Sequence, residues 1–446
     1  MSKKDILIKI AVEISRVILG VTFIFSGFVK AVDPYGTAYK IEDYLAAFNL
    51  SSLSFLAMTG SVVQSIVEFA MGACMLFGLY RKWNSRLTLA VMVFMTLLTL
   101  YLAINDPVED CGCFGDALII TNWQTFYKNL VLLACSIIVF IYCERISNFF
   151  TGKTYWLAFL YIFIFIGLFA FRNYVLDPLI DFRPYKIGAN LPELMDVEEG
   201  KGRHEETTLV YAKDGVEKEF TEENYPWEDS TWVFVRMDTK IINEGVESPI
   251  KDFVINKLSF NPQKTELLEQ EDITTEVLSD TGYVFLMITP LLEKMNDSYL
   301  SVFEDVETYA SDYGYKFYCL TASPTDEIMS WANENVINFE FCSMDERALK
   351  TMIRSNPGLI LFKNGVIINK WAGIAVPEES DLAKPLPELP YGQLLDMKTE
   401  DRKNLFYICV VFFLPLLGLK GFDALVYRRR KETAEKQEET GENITE

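Results

Sequence analysis

The sequence predicts a multi-domain membrane protein: an all-α transmembrane four-helix bundle, extra transmembrane helices, and an α/β soluble domain. Three observations predict this class. Half of the 446 residues are hydrophobic although 23% are charged, a mixture of apolar blocks and a polar domain rather than one uniform globule. Six blocks, at 6–29, 53–80, 87–104, 123–143, 155–174 and 405–426, have the roughly 20 apolar residues that a helix needs to cross a bilayer core of about 30 Å. The net charge of −21 is carried almost wholly by 177–402, where acids outnumber bases about two to one. So acidic a surface argues against nucleic acid as a partner and against docking of that segment on anionic lipid.

The first block follows Lys3 and Lys4, as a secretory signal does. It is longer than a signal core, carries Glu13 and Arg16, and has no small-x-small cleavage pattern before Lys30, so a retained helix is predicted. Four blocks make a bundle over 1–148, a fifth helix covers 155–176, and a last one covers 404–427. Lys3 and Lys4, then Arg81, Lys82 and Arg86, then Arg145 and Lys153, then Arg428–Lys431 flank these blocks. Alternation puts all four groups on one side, which the positive-inside rule makes the cytoplasm. The loops 30–52 and 105–122 and the whole of 177–402 then lie outside it, and 428–446 is a charged cytoplasmic tail, Glu-rich and without a core of its own.

The loop between the third and fourth blocks reads Asp106-Pro-Val-Glu-Asp110-Cys111-Gly112-Cys113-Phe-Gly115-Asp116. Cysteines two positions apart lie near the limit of disulfide reach. A bridge between them is strained, and strained exposed bridges exchange readily. Gly112 lets the backbone bend into such a ring. Glu109, Asp110 and Asp116 raise the thiol pKa, and Lys30 or Lys128 opposes that if it approaches. A static bridge closes almost no loop and adds little stability. Zinc needs more donors than one histidine, His204, and a single close cysteine pair provide, so no metal site is expected. A structural loop and a redox pair both remain open on these residues.

Arg16-Val-Ile-Leu-Gly20-Val-Thr-Phe-Ile-Phe25-Ser26-Gly27-Phe28-Val-Lys30, Asp33-Pro34, Glu68 with Gly72 and Gly78, and Cys111-Gly112-Cys113-Phe114-Gly115 together resemble the DoxX-like membrane proteins. The cysteine loop is similar to their MauE branch, named for methylamine utilisation. The resemblance covers 6 to about 145. It implies a four-helix bundle in a bacterial inner (plasma) membrane and a part in maturing a disulfide-rich protein on the periplasmic side. The large appended domain departs from the short members, which argues against methylamine dehydrogenase itself as the target.

Arg16 and Glu68 sit at similar depth when counted from the helix ends at 1.5 Å per residue. An isolated charge there is costly, so an intramembrane ion pair, Arg16 with Glu68, is expected, with Glu13 one turn away as competitor. Cys74 and Cys135 read as small core residues of a helix interface.

The outer part divides into a small β-rich segment at 180–280 and an alternating α/β stretch at 281–376. Segments 207–213 and 216–220 around Asp214-Gly215 read as a hairpin. Strands are predicted at 283–289, 316–321, 339–342, 359–363 and 366–371, and helices at 298–312, 325–333 and 346–354. The ending Asn356-Pro357-Gly358-Leu-Ile-Leu-Phe-Lys-Asn-Gly365-Val resembles the thioredoxin-like fold, in which this proline is cis and faces the reactive cysteines. Where that family carries Cys-x-x-Cys, this chain reads Thr289-Pro290-Leu291-Leu292, which rules out a dithiol reaction there. Cys319 and Cys342 fall within strands and are expected to be buried. Such a domain binds a partner or covers the bundle.

The function expected is thiol–disulfide exchange by Cys111 and Cys113, supporting maturation of exported proteins. One cysteine is attacked and the other resolves the mixed disulfide, in an order that spacing does not set. The partners are an exported thiol-containing protein and the lipid bilayer. The electrons need a membrane acceptor such as a quinone, whose site no residue identifies. The alternative is a non-enzymatic scaffold whose outer domain recruits a partner protein.

Overall fold

The computed structural model describes residues 2–108, 110–151, 154–196, 204–213, 216–221, 232–243, 248–250, 253–261 and 263–440. Glu109, Lys153 and the Asp214-Gly215 turn lie outside them, as do 441–446 and the side chains of the basic run 428–431.

Helix α1, Lys3–Val32, starts at a capping box in which Ser2 and Asp5 satisfy each other's backbone N–H groups. Asp33 ends it and at once caps α2, Pro34–Ala47, accepting from Gly36 N while Pro34 fills the first turn. The segment 30–52 was expected to be a plain loop; α2 is a finding of the structure. After a 3₁₀ turn come α3, Ala57–Phe77, and α4, Arg81–Asn105, separated by Gly78 in the left-handed region (φ 68°). The cysteine loop follows. Thr121 and Gln124 form a second capping box that starts α5, Asn122–Ile141, and α6 spans Tyr155–Val175.

Helices α1 and α3 lie antiparallel at close range. A Cβ on Gly27 would meet the backbone of Phe69, and one on Gly72 would meet Ile24 N. Glycine at these two positions sets both the distance and the register of the pair. Among the described residues, five helical segments are long and apolar enough to cross a membrane: Ser51–Phe77, Arg81–Asn105, Asn122–Ile141, Tyr155–Val175 and Met397–Val426. The predicted span at 6–29 is not one of the five. Its helix, α1, is interrupted by Glu13, Arg16 and Lys30, although its outward residues Leu7, Ile10, Ile14, Val17 and Val21 are apolar and exposed.

Beyond α6, the short helix α7, Leu191–Met195, leads to β1, His204–Lys213, β2, Val216–Thr221, and β3, Val233–Asn243, an antiparallel sheet in the order β2-β1-β3. Then follow β4 (Asn256–Phe260), β5 (Leu267–Asp272), α8 (Thr274–Ser279), β6 (Tyr283–Ile288), α9 (Leu300–Asp312), β7 (Lys316–Thr321), α10 (Thr325–Glu334), β8 (Phe341–Ser343), α11 (Glu346–Met352), β9 (Gly358–Lys363) and β10 (Val366–Ala372). All but the helices join one mixed sheet, β10-β9-β6-β7-β8-β4-β5, in which β6-β7 and β7-β8 are parallel. Strands β4 and β5, which the sequence places in the β-rich stretch, extend this sheet at its β8 edge. The central strand β6 is buried along its whole length, as a strand covered on both faces must be. Helices α9 and α10 pack on one face through Phe303, Val306 and Ile328. Helix α11 packs on the other through Leu349 and Met352. Helix α12, Met397–Thr440, returns the chain to the bundle.

A buried ion pair joins the two halves. Arg354, just after α11, holds both carboxylate oxygens of Asp33, with Nη2–Oδ2 at 2.6 Å and Nε–Oδ1 at 3.1 Å. Its guanidinium also lies over the Tyr39 ring, 5.4 Å from the centroid. A bidentate pair of this kind fixes direction as well as distance. It holds the α/β domain against the α1–α2 corner, beside the cysteine loop.

Candidate functional site

The site grows from the close α1–α3 contact. Ser26 and Lys30 are one turn apart on α1, and Glu68 faces them from α3. Lys30 Nζ is buried and donates to Glu68 Oε2 at 2.8 Å, to Ser26 Oγ at 2.7 Å and to the carbonyl of Cys113 at 2.8 Å. Gln64, one turn before Glu68, donates to its other carboxylate oxygen at 2.9 Å. Every bond of this cluster is charge-assisted or closes on a partner inside it, which offsets the cost of taking an ammonium and a carboxylate out of water.

This geometry corrects the expected pairing of Arg16 with Glu68. Arg16 pairs with Glu13 at 2.8 Å and donates to the Ser147 carbonyl at 3.0 Å, while Glu68 is taken by Lys30. Depth counted from the helix ends misplaced the register. The contacts of Gly27 with Phe69 and of Gly20 with Leu76 align the antiparallel helices. That register carries Arg16 beyond the last turn of α3, more than two turns from Glu68.

The same cluster anchors the cysteine loop. Cys113 is held by its carbonyl on Lys30, and Ser26 Oγ lies 2.7 Å from that oxygen. The Cys111 carbonyl accepts from Tyr44 OH of α2 at 2.8 Å. Lys40 of α2 pairs with Asp110 at 2.8 Å, and Asp110 accepts from Gly112 N at 2.7 Å. Gly112 and Gly115 both take left-handed φ values, 62° and 49°, which turn the loop back on itself. The two sulfurs end 3.0 Å apart as free thiols in hydrogen-bond contact.

The surroundings make the two thiols unequal. The hydrogen bond from Cys111 and the ammoniums of Lys128 and Lys30 hold Cys113 below the ordinary thiol value, at about 6, against the opposing effect of burial. Giving that hydrogen bond, and being buried, pushes Cys111 up. These surroundings favour a thiolate at Cys113 over one at Cys111. Of the three acids expected to oppose this, Asp110 is taken by Lys40 and Asp116 lies within 3.7 Å of Arg354, while Glu109 lies outside the described residues. Of the two lysines considered from sequence, both arrive. Lys128 of α5 stands over the Phe114 ring, 4.2 Å from its centroid.

Residues 8–142 match the family model of the Methylamine utilisation protein MauE. The match spans α1 to α5 and the whole cysteine loop, under a third of the chain. With the five apolar helical segments it identifies a multi-pass membrane protein whose N-terminal region is of the MauE type. Residues 205–244 match a second model, Domain of unknown function (DUF8463). No curated protein and no solved structure matches the chain.

Two cavities border the cysteine loop of the MauE-type bundle. One, of about 370 Å³, lies among α1 to α5 and reaches Cys111 and Cys113. The other, of about 160 Å³, lies outward under the α/β domain and is lined by Asp33, Asp110, Asp116, Arg183 and Arg354. Sequence reasoning missed Ser26 as a ligand of the loop, and missed Lys40 and Tyr44 because α2 was read as loop. The Asp33-Pro34 start, a helix cap followed by proline, was the signal that α2 offered. No cluster of His, Cys, Asp and Glu among the described residues has the geometry to hold a metal ion.

In the α/β domain the Thr289–Leu292 corner lies beside Pro357, whose peptide bond with Asn356 is cis. Thr289 Oγ1 donates to Asn356 Oδ1 at 2.8 Å, and Asn356 Nδ2 donates to the Leu291 carbonyl at 3.1 Å. These hydrogen bonds brace the corner at the end of β6. Cys319 and Cys342 are buried within β7 and β8, and burial pushes both thiols up.

Proposed function

We propose that this protein is a membrane thiol–disulfide oxidoreductase that supports maturation of exported proteins. Cys113 is its attacking thiolate and Cys111 the thiol that resolves the mixed disulfide. The observation that carries this reading is the placing of both sulfurs 3.0 Å apart next to two lysine ammoniums. A thiolate attacks a partner disulfide only when its proton is already gone, and Cys113 meets that requirement at neutral pH. Cys111 supplies the second sulfur without a conformational search.

The reading includes a topology. We take α1 as a sixth span, because its exposed face is apolar and it lies along α3. Both termini are then cytoplasmic, in a bacterial inner membrane. The cysteine loop and the α/β domain lie on the periplasmic side, where disulfides persist. The α/β domain is read as a thioredoxin-like module without its dithiol, used to bind or cover.

Trapping tests the reading. In cells, Cys111→Ala should accumulate a mixed disulfide through Cys113, visible as a thiol-sensitive band identified by mass spectrometry, and Cys113→Ala should not. Uniformly unreactive cysteines, with both variants functional, would hand the function to the scaffold reading.

A further inference from the structure

The start of α4 and the end of α5, remote from the cysteine loop, enclose a cavity of about 470 Å³. Lys82, Arg86 and Arg145 line it against a single carboxylate, Glu144. Lys82 takes that carboxylate at 2.9 Å, and Arg145 meets Asp5 of α1 at 3.2 Å. Both pairs are exposed and therefore weak, so they yield to a better acceptor. Arg86 has no carboxylate partner among the described residues, and its guanidinium lies 5.7 Å from the centroid of the exposed Trp83 ring. The carbonyls of Glu144 and Ile146 at this end are already engaged by Arg81.

This excess of positive charge calls for an anion, and the neighbouring surface says which kind. Trp83, Leu87 and Phe94 on α4 and Ile137 and Ile141 on α5 are exposed and run from the cavity into the two apolar spans. A soluble anion leaves that surface bare, whereas acyl chains cover it. A head group bearing choline or ethanolamine would set its own cation against Arg86 and Arg145. Trp83 stands at the helix end, where aromatic rings gather at a membrane surface. Basic pockets between transmembrane helices suit anionic lipid head groups.

We propose that this cavity binds the phosphate of an anionic phospholipid of the phosphatidylglycerol type, with Arg86 as its principal partner and Arg145 beside it. The guanidinium fork offers paired donors to phosphate oxygens. The proposal depends on α4 and α5 crossing the bilayer and is independent of thiol exchange at Cys111 and Cys113.

The test uses the full chain in neutral detergent, with phosphatidylglycerol, phosphatidylcholine and inorganic phosphate as probes. Native mass spectrometry should show phosphatidylglycerol retained in preference to phosphatidylcholine. Arg86→Gln should lower that retention about tenfold, as loss of a charge-assisted hydrogen bond does. Lys403→Gln, the same change of charge at the start of α12, should leave it unchanged. Cys143 lines the cavity and is partly exposed, so the site can also be located in the unaltered chain. In nanodiscs, phosphatidylglycerol but not phosphatidylcholine should slow alkylation of Cys143 by neutral acrylamide several-fold, followed on its peptide by mass spectrometry. Inorganic phosphate should neither displace the lipid nor slow that alkylation. Equal retention of the two lipids, retention indifferent to Arg86→Gln, or Cys143 alkylation indifferent to phosphatidylglycerol overturns the site. Displacement by inorganic phosphate overturns the lipid and leaves a site for free phosphate. Where Arg86→Gln fails to accumulate, protection of Cys143 decides alone. None of these outcomes touches the exchange reading.

Discussion

The bundle and the α/β domain each present a loop at the boundary between them, and the two are opposites. The bundle loop has two thiols and, among its described residues, no regular structure beyond the short 3₁₀ turn Gly115–Ala117. Its geometry is imposed by Lys30, Ser26, Tyr44 and Lys40 from two neighbouring helices. The corner at Thr289–Leu292 sits at the end of a fully buried strand and is held by Asn356, but it has no thiol. The thiols sit where the backbone depends on hydrogen bonds borrowed from neighbouring helices, and the corner braced by its own sheet has none.

The largest effect should come from breaking the support of the bundle loop. Lys30→Met strands the Glu68 carboxylate in the bundle, and removing one partner of a buried pair costs about 3–5 kcal/mol. Protein abundance in membranes should collapse. Lys30→Met combined with Glu68→Met should recover most of it, because the stranded charge is gone. Quantitative immunoblots of membranes check both, and equal abundance of single and double variants would show that the pair is not structural.

Next in size is the pH dependence of the thiols. Cys113 has a value lowered to about 6, so its reactive thiolate is present above that pH and lost below it. Maleimide labelling of Cys113 in Cys111→Ser protein, whose serine hydroxyl can still donate to the Cys113 sulfur, should rise about tenfold between pH 5 and pH 7. Cys111→Ala removes that donor, and its slower labelling relative to Cys111→Ser measures what the hydrogen bond contributes. Labelling of Cys113→Ser protein through Cys111 should stay slow over the same range, since burial disfavours that thiolate.

A smaller effect is expected at the seam. Arg354→Ala leaves Asp33 without its bidentate partner and should raise protease cleavage between the halves several-fold while exchange chemistry persists. The seam has its own pH signature. Although burial opposes ionisation, Arg354 and Arg183 hold Asp33 below its ordinary value of 3.8. The stabilisation is therefore fully present above about pH 4 and is lost as pH falls through the lower folded value. Cleavage assays from pH 3 to 6 would show it. The smallest effect is predicted in the α/β corner: Thr289→Val should change exchange rates less than twofold, against near-total loss for Cys113→Ser.

The parts legible in sequence were those written in period and length. The apolar blocks, the 3.6-residue faces of α9 and α10, and the strand at 283–289 announced the helical region and the mixed sheet, and β6 ends one residue short of that reading. The cysteine loop stood out because Cys-Gly-Cys is rare chemistry at short range. What stayed hidden were pairings set by register. Arg16 was matched with Glu68 because both are charged and similarly deep. The true register is dictated by Gly20, Gly27 and Gly72, residues with no side chain to advertise it. Helix α2 was missed because Tyr35, Tyr39, Lys40 and Tyr44 form no apolar block, and with it went two of the residues that hold the loop.

Gly112 lines both cavities beside the cysteine loop, and so does Lys40. The loop is therefore a wall about one peptide thick, with a hollow lined by Asp33, Asp116, Arg183 and Arg354 on one side and, on the other, a chamber that is apolar along α4 and polar at Lys30, Glu68 and Gln64. A side chain at position 112 would thicken this wall on the side of α2, where its Cβ would meet Lys40 Cγ at 3.2 Å.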